Sequence, residues 1–406
     1  MTVVPSFSSR TAWNSEESDL ASALRERRAA GLPLFDLTAS NPTHCGFDYD
    51  SAALLAPLGD SRALEYDPDP RGMRAAREAV VRYYAQQGST VPVEHVLLTT
   101  STSEAYSYLF RLLADPGDEI LIAQPSYPLF DFLAQLEDVR LTPYPLFYDH
   151  GWHLDLEALR RSIGPRTRAI ALVHPNNPTG HFTKPGEREA LEHLCAEHGL
   201  ALIVDEVFLD YALGGEPAIS FATGEHPALT FVLSGLSKVA ALPQMKASWI
   251  AAFGPDAALR PALARLEIVA DTFLAMNAPI QCALPVWLEN RTGIQQQIPT
   301  RLRANLASLD AALARQGMVS RLEVEAGWYA VLRIPALAPD EEVALNLVRE
   351  HGVSVHPGSS FGFPGSGWLV VSLLTLPEEF ASGIERLLVT FRGTEFDQEG
   401  VFSREG

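Results

Sequence analysis

Cysteine, basic charge and long apolar runs are all scarce in this chain of 406 residues. Its three cysteines, Cys45, Cys195 and Cys282, are odd in number and widely spaced, so they indicate neither a disulfide framework nor a metal site. Lysine and arginine total 31 against 50 acidic residues, and a net charge of −19 argues against binding nucleic acid or an anionic membrane. With no run of about 18 or more apolar residues and no signal-peptide pattern, we expect a cytoplasmic protein without membrane contact.

Hydrophobic residues make up 47% of the chain, which is enough for a large core and two domains. Short apolar runs alternate with helical segments and predict strands at residues 96–98, 119–123, 169–173, 201–205, 229–233 and 248–252. This alternation predicts an α/β fold with a mostly parallel sheet flanked by helices. Strand and helix patterns beyond residue 317 predict a smaller α+β domain. We also predict a helix capped by Ser15 and one covering residues 299–316.

Lys238 is the candidate nucleophile of the chain. It follows the predicted strand 229–233 in the sequence Ser234-Gly235-Leu236-Ser237-Lys238. A buried lysine loses the hydration of its ammonium group, so its pKa falls and the neutral amine needed for imine chemistry becomes accessible. A lysine after a strand is more often a solvated loop residue, so this interpretation depends on the other segments.

Three further groups follow predicted strands, at the sheet edge where α/β folds gather ligands. Tyr127 could present its ring to a flat ligand or pack in the core. Asn177 could donate its amide to a phenolate-like oxygen, although an Asn-Pro turn needs no function. Asp205 ends an apolar strand, where a carboxylate needs a cation such as a protonated heterocyclic nitrogen, an arginine or a lysine.

Thr100, Ser101 and Thr102 lie where a predicted strand passes into a helix. Free backbone N–H groups and hydroxyls at that point could hold a phosphate at the positive end of the helix. Simple N-capping of the helix is the alternative.

Taken in order, these segments resemble the class I and II aminotransferases, a family of fold-type I pyridoxal 5′-phosphate (PLP) enzymes. The resemblance spans roughly residues 35 to 390. It rests on six motifs in the family's order, namely Tyr66 to Gly72, Thr100-Ser101-Thr102, Pro125-Ser126-Tyr127-Pro128, Asn177-Pro178-Thr179-Gly180, Asp205-Glu206-Val207-Phe208 and Ser237-Lys238.

The resemblance implies the fold-type I architecture and a division of the chain into four segments. Residues 1–45 would form an N-terminal arm and part of the small domain, and residues 46–290 the large PLP-binding domain. Residues 291–393 would form the small C-terminal domain, and residues 394–406 a flexible tail. The implied activity is transfer of an amino group between an amino donor and a keto acid or aldehyde acceptor.

The resemblance also implies a role for each motif residue. Lys238 would form the internal aldimine and move the proton between the substrate Cα and the cofactor C4′, while Asp205 would keep the pyridine nitrogen protonated. Tyr127 would stack on the ring, and Asn177 would bond its O3′. The phosphate would be surrounded by Thr100, Ser101, Thr102, Ser237 and the partner subunit's Tyr66, so we expect an obligate homodimer.

Two departures from the family pattern affect the cofactor site. Lys246 stands where the family has a phosphate-binding arginine; it keeps the charge and loses the bidentate fork. Phe208 stands where the family has a tyrosine that helps to tune the O3′ side. Asn177 would then make that contact more nearly alone, unless Tyr211 reaches the site.

A third departure affects the substrate. Val370 stands where the family has the arginine that clamps the substrate α-carboxylate, and valine forms no charge-assisted pair. Either another cation takes this role, or the amino donor lacks an ordinary α-carboxylate. The candidate replacements are Arg71, Arg321 and Arg333.

Asn41, Trp328 and Tyr329 align with positions near the substrate in this family and could line an apolar pocket or belong to the core. Two alternatives to transamination stay open at this point. One is a PLP lyase, decarboxylase or oxidase of the same fold, which the loss of the arginine favours. The other is a non-catalytic PLP-binding regulator, which the presence of Lys238 and Asp205 disfavours.

Overall fold

The computed structural model describes residues 6–214 and 219–392. The strands in these ranges are β1 (Phe35–Asp36), β2 (Val96–Thr99), β3 (Glu119–Gln124), β4 (Arg140–Tyr148), β5 (Trp152–Leu154), β6 (Thr167–Val173), β7 (Ala201–Asp205), β8 (Thr230–Gly235), β9 (Ser248–Phe253), β10 (Ser320–Arg321), β11 (Tyr329–Arg333), β12 (Val353–Ser354), β13 (His356–Pro357) and β14 (Trp368–Ser372).

The α-helices in these ranges are α1 (Asp19–Ala29), α2 (Ser51–Leu55), α3 (Arg74–Gln86), α4 (Thr102–Leu113), α5 (Leu129–Leu136), α6 (Leu156–Ser162), α7 (Pro185–His198), α8 (Leu236–Val239), α9 (Asp256–Phe273), α10 (Ala278–Glu289), α11 (Thr292–Leu313), α12 (Asp340–Asn346) and α13 (Pro377–Arg392). A π-helical turn at Leu347–His351 continues α12. Short 3₁₀ helices lie at Ser9–Thr11, Pro42–His44, Ala56–Gly59, Ser61–Leu64, Val93–His95, Pro243–Met245 and Gly358–Phe361.

The main sheet has eight strands in the order β2-β9-β8-β7-β6-β3-β4-β5. The pairs from β8 across to β4 are parallel, whereas β9 runs antiparallel between β2 and β8, and β5 pairs antiparallel with β4. Every residue of β7 and β8 is buried, as expected for strands that helices cover on both faces.

Alternate residues of the central strands belong to two separate hydrophobic clusters, one on each face of the sheet. Ile203 and Phe231 pack in the cluster that includes residues of α4 and α9. Their neighbours Val204 and Val232 pack in the larger cluster, which includes residues of α3 and α10 and extends into the C-terminal part of the chain. The two-residue period of the strands therefore gives each face its own core.

The C-terminal part contains a four-stranded antiparallel sheet in the order β10-β11-β14-β13. The N-terminal strand β1 pairs in parallel with β12, and the N–H of Ser372 in β14 donates to the carbonyl of Leu37 at 2.7 Å. The start of the chain is thus attached to its C-terminal part. The division into four segments stays a prediction, and residues 394–406 lie outside the described residues.

Two predicted helix starts are wrong. Helix α1 begins at Asp19 because Ser18, and not Ser15, caps it and accepts from the N–H of Ala21 at 3.2 Å. Helix α11 begins at Thr292, so Pro299 lies inside the helix and not at its start. Burial of Ile294 and Ile298 on that first part of α11 accounts for the extension past the proline.

The parallel strands bring the candidate residues to one edge of the sheet. Thr100 follows β2, Tyr127 follows β3, Asn177 follows β6, Asp205 ends β7, and Lys238 follows β8. This is the edge at which ligands gather in α/β folds. In the described ranges, no helix is long and apolar enough to cross a membrane.

Candidate active site

Lys238 lies in the short helix α8, directly after β8. Its Nζ is 4.5 Å from the ring centroid of Trp328 and 5.5 Å from that of Phe208. Burial lowers the pKa of Lys238 to about 8, and the negative charge of Asp205 opposes this shift. The neutral amine is therefore populated far more at neutral pH than on a solvated lysine.

Aromatic side chains enclose this lysine. Trp328 is fully buried and packs edge-on against Phe208 at 5.3 Å and Tyr211 at 5.2 Å between ring centroids. The hydroxyl of Tyr211 donates to the main-chain carbonyl of Lys238, so Tyr211 holds the backbone that carries the amine. Trp328 lines the site and belongs to the core at the same time, so the two interpretations of this residue are not exclusive.

Asp205 is a buried carboxylate that meets few donors. Its Oδ1 accepts from the N–H of Val207 at 3.1 Å, and the Tyr106 hydroxyl lies beside it. Burial raises the pKa of Asp205 to about 6, while Val207, Tyr106 and the charge of Lys238 act in the opposite direction. No ion pair joins Asp205 to an arginine or a lysine within the described ranges. Its carboxylate therefore suits an additional cationic partner.

The turn that carries Asn177 is fixed by its neighbour Asn176. The Asn176 side chain accepts from the Thr179 hydroxyl at 2.8 Å and donates to the Pro125 carbonyl at 3.3 Å. Asn177 itself is only 8% exposed, and its Oδ1 has no hydrogen-bond partner among the described residues. A rigid turn thus presents a buried amide with unmet hydrogen-bonding capacity.

The Asn177 turn also packs against the segment that precedes Trp328. Gly180 has φ +72°, and a Cβ at this position would lie 2.4 Å from the carbonyl oxygen of Ala326. Beside this contact, the carboxylate of Glu325 accepts from the N–H of Phe182 at 3.1 Å and forms an ion pair with Lys184. The position of Trp328 is thereby coupled to that of the turn.

The start of α4 has a side-chain N-cap and also has backbone N–H groups that are free to donate hydrogen bonds. Ser101 is the N-cap, and its Oγ accepts from the N–H of Glu104 at 3.1 Å. The Glu104 carboxylate in turn accepts from the N–H and the hydroxyl of Thr100. N-capping is therefore real, yet the first-turn N–H groups of Thr102 and Ser103 make no hydrogen bond to another described residue. These two groups can still bind an anion.

The other predicted cofactor residues lie at different depths. Ser237 is partly buried beside Lys238, and Tyr127 leaves 44% of its surface exposed. Lys246 is exposed and adopts a left-handed backbone with φ +51°. Tyr66 is 84% exposed on the surface. The structure thus brings Lys238, Asp205, Phe208 and Trp328 together and leaves Tyr66 apart from them.

The predicted substrate residues and the candidate replacement arginines occupy different parts of the structure. Val370 is fully buried in β14, opposite Val331 on one side and His356 on the other. Asn41 caps the 3₁₀ helix Pro42–His44, and its Oδ1 accepts from the N–H of Thr43 at 3.1 Å. The three candidate replacement arginines bind elsewhere: Arg71 pairs with Glu267, Arg321 pairs with Asp310, and Arg333 lies 4.1 Å from the Trp368 ring centroid.

The family model for aminotransferase class I and II matches residues 34–387 of this chain. The chain belongs to this family. An alanine aminotransferase of Mycobacterium tuberculosis is 28% identical over 379 residues, which cover 90% of this chain and 87% of that protein. The glutamate-pyruvate aminotransferase AlaA of Escherichia coli is 26% identical over 342 residues, covering 82% of this chain and 84% of that protein.

Solved structures of the family superpose on the chain. The alanine aminotransferase of Pyrococcus furiosus has a TM-score of 0.85 at 24% identity, covering 95% of this chain and 99% of that one. The aspartate aminotransferase of Thermus thermophilus with maleate has a TM-score of 0.80 at 25% identity, covering 94% and 99%. The predicted family, fold class, aminotransferase activity and PLP cofactor are therefore confirmed.

The residues at the sheet edge fit this cofactor. Lys238 supplies an amine with a lowered pKa for the aldehyde, and Asp205 supplies a carboxylate for a protonated ring nitrogen. The side-chain Nδ2 of Asn177 could donate to the O3′ oxygen, and the start of α4 has free N–H groups that suit a phosphate. The residues at this edge are thus chemically suited to holding PLP.

Sequence reasoning missed two residues that lie next to the predicted ones. Tyr106 lies beside Asp205, although 99 positions separate them, and helical periodicity shows only that Tyr106 faces inward. His356 lies opposite Val370, and only the pairing of β13 with β14 reveals this. The sequence did single out Tyr211, whose hydroxyl bonds the main chain of Lys238.

Proposed function

We propose that this aminotransferase holds PLP covalently on Lys238 and exchanges an amino group between an α-amino acid and a small 2-oxo acid. The observation that carries the proposal is the amine of Lys238, enclosed by Trp328 and Phe208 and given a pKa of about 8 by burial. Of the chain's three lysines, Lys184 is paired with Glu325 and Lys246 is exposed. Lys238 is thus the one with an environment suited to covalent attachment.

When bound, PLP supplies an electron-withdrawing ring that stabilises negative charge at the donor Cα. Asp205 would pair with the ring nitrogen, and Asn177 would bond O3′, because Phe208 has no hydroxyl and that of Tyr211 is engaged. The amine of Lys238 would take the Cα proton of the donor as a tethered general base. The ring of Trp328 lies against this amine and shields part of it from water.

The remaining cofactor contacts are proposals of the same kind. Tyr127 would cover one face of the ring, which its 44% exposed surface permits. Thr100, Ser101, Thr102, Ser237 and Lys246 would surround the phosphate. Thr100 and Ser101 already hold Glu104, so their backbone position is set before any ligand arrives.

For the acceptor we infer pyruvate or a 2-oxo acid of similar size. The relatives support this, since one is named alanine aminotransferase, another glutamate-pyruvate aminotransferase, and a third is the arginine-pyruvate transaminase AruH of Pseudomonas aeruginosa. None of these names points to a lyase, a decarboxylase, an oxidase or a regulator. A cytoplasmic location stays a prediction.

Reduction with borohydride tests the attachment. We expect the cofactor mass on the peptide that contains Lys238, and loss of the label and of the visible absorbance in Lys238→Ala. The matched control is Lys184→Ala, which removes a lysine with no proposed cofactor contact and should keep the label. Attachment to Lys184 or Lys246, or no attachment at all, would refute the proposal. Conversion to the pyridoxamine form with L-alanine, reversed by pyruvate, tests the substrate pair.

We also propose that the enzyme is a homodimer in which the partner subunit's Tyr66 completes the phosphate site. Support comes from large apolar side chains on the surface: Leu64 is 90% exposed and Leu274 is 69% exposed. The ion pair of Arg71 with Glu267 at 2.6 Å ties the segment after Tyr66 to α9, the helix that ends just before Leu274. Exposed apolar surface of this kind is typical of an interface.

Complementation between two inactive variants tests the shared site. Tyr66→Ala and Lys238→Ala homodimers should each have low activity. A refolded mixture should recover activity, because one site of the hybrid dimer carries both wild-type residues. Sedimentation should show a dimer before mixing. A monomer, or a mixture with no recovery despite hybrid formation, would contradict the proposal.

A further inference from the structure

The loss of the carboxylate-binding arginine leaves a defined set of groups around Val370. His356 pairs directly with Val370 across the β13–β14 ladder, so the two side chains point to the same face of the sheet, with their Cβ atoms about 5 Å apart. Val331 pairs with Val370 on the other side. His356 is therefore the polar side chain next to the position that the family gives to arginine.

The surroundings of His356 connect it to the active site. Its ring centroid is 6.3 Å from that of Tyr329 and 5.6 Å from that of Phe361. The Tyr329 hydroxyl lies beside Ser40, and both Tyr329 and Lys238 are within electrostatic range of Cys45. Tyr329 is also within electrostatic range of Tyr127, which follows β3 at the sheet edge that carries Lys238. The face that carries Val370 thus adjoins the site of Lys238.

Arg333 is a permanent cation on this face, since it lies two residues from Val331 in β11, but it is exposed, lies over the Trp368 ring and donates to the carbonyl of Ser366 at 3.1 Å. The charged groups that act on His356 are few: Asp36 favours the protonated ring, as does the backbone carbonyl of Thr38. Tyr329 is neutral, because burial raises its pKa to about 12. Burial outweighs the effects of Asp36 and Thr38 and lowers the pKa of His356 below its ordinary value. An anion arriving here meets an imidazole that is largely neutral.

We propose that His356 takes the place of the missing arginine and binds the substrate α-carboxylate as an imidazolium. This inference rests on the proposed function, since it assigns the substrate end of the same site. The ring gains a proton from solvent as the carboxylate enters, and a charge-assisted hydrogen bond then forms between the two. Asp36 and the Thr38 carbonyl steady the charged ring.

The proposal has a consequence that an arginine site would not show. Because the ring must gain a proton, carboxylate binding weakens as the pH rises above the pKa of free His356. Affinity should fall about tenfold for each further pH unit, whereas an arginine stays charged throughout. The preference for donors with an α-carboxylate should therefore decrease as the pH rises. The affinity for a donor without this group should not change in this way.

Calorimetric titration of the holoenzyme with propionate tests the proposal without turnover. Propionate has the carboxylate and lacks the amine, and propionamide is its uncharged control. Between pH 6 and pH 9 we expect the propionate Kd to rise about tenfold per unit on the basic side, with uptake of close to one proton measured in two buffers. Propionamide should show neither effect.

Two variants assign the effect to one residue. His356→Gln keeps a polar side chain but cannot be charged, so the Kd at pH 6 should rise about tenfold and the pH dependence should vanish. Adding Val370→Arg should restore tight binding at every pH. An unchanged pH dependence in His356→Gln, or a flat profile in the wild-type enzyme, would overturn the proposal.

The outcome is separable from that of the proposed function. If borohydride labels Lys238 and L-alanine reacts, but propionate binding is independent of His356, only the present inference fails. If no label appears on Lys238, the proposed function fails as well. If His356→Gln does not fold, the imidazole NMR signals of His356 in the wild-type enzyme provide the test, because propionate should raise the pKa of this ring and propionamide should not.

Discussion

Removal of the charge on Lys238 should make the cofactor-free protein more stable. Burial lowers the lysine pKa from its ordinary value of 10.5 to about 8. At 1.36 kcal/mol for each pH unit, this difference corresponds to about 3 kcal/mol that the folded state loses by keeping the ammonium. Lys238→Met preserves apolar contact with Trp328 and removes the charge. The pKa of about 8 already includes the attraction of Asp205, so we expect a net gain of the same order, about 2 to 3 kcal/mol.

The pH dependence gives the sharper test. Between pH 8 and 10.5 the unfolded chain keeps a proton on Lys238 that the folded chain releases, so wild-type stability rises with pH in that window. The advantage of Lys238→Met should therefore be full below pH 8 and shrink toward zero near pH 10.5. Asp205, whose pKa responds to Lys238, titrates near pH 6 and thus below this window, and the other titrating groups are common to both proteins.

Urea unfolding of the cofactor-free proteins at a series of pH values measures this difference. Lys246→Met is the matched control, because Lys246 is exposed and its replacement should change the free energy of unfolding by less than about 0.5 kcal/mol. A Lys238→Met protein that is no more stable than wild type at pH 7, or an advantage that persists unchanged at pH 10.5, would refute the reasoning.

Two further substitutions test the surroundings of the site. Tyr106→Phe removes the hydroxyl beside Asp205, so the pKa of the Asp205 carboxyl should rise above about 6. The pH below which PLP affinity falls should then move upward by as much as about one unit in cofactor titrations. An unchanged pH limit would contradict this. Gly180→Ala should cost about 2 to 4 kcal/mol in urea unfolding and weaken PLP binding, because its φ is +72° and its Cβ would meet the Ala326 carbonyl. Gly186→Ala, with open space around it, is the control and should be nearly neutral.

Strong local patterns made the centre of the fold predictable. The apolar strand that ends at Asp205 is buried at every position, and the strand before Lys238 is likewise buried throughout. Such strands have one favourable place, between two layers of helices, and their order along the chain brings their carboxyl ends together. The candidate lysine and carboxylate could therefore be named from sequence.

Features that depend on long-range packing could not be predicted. Pro299 suggested the start of a helix, but burial of Ile294 and Ile298 favours a helix that continues through the proline. The neighbours of Val370 depend on the strand register, and the register that places His356 opposite Val370 cannot be read from the sequence. The three arginines proposed as substitutes were reasonable by charge alone, yet each is engaged elsewhere.

The contact between Trp328 and Lys238 makes the site observable by light. A chromophore attached to the Nζ would lie close to an indole that is 4.5 Å from that atom and fully shielded from solvent. Its absorption should overlap the emission of the indole, so energy transfer should quench the fluorescence of this tryptophan, one of six in the chain. The protein thus contains its own reporter of cofactor loading, and Trp328→Phe would identify the part of the signal that comes from the site.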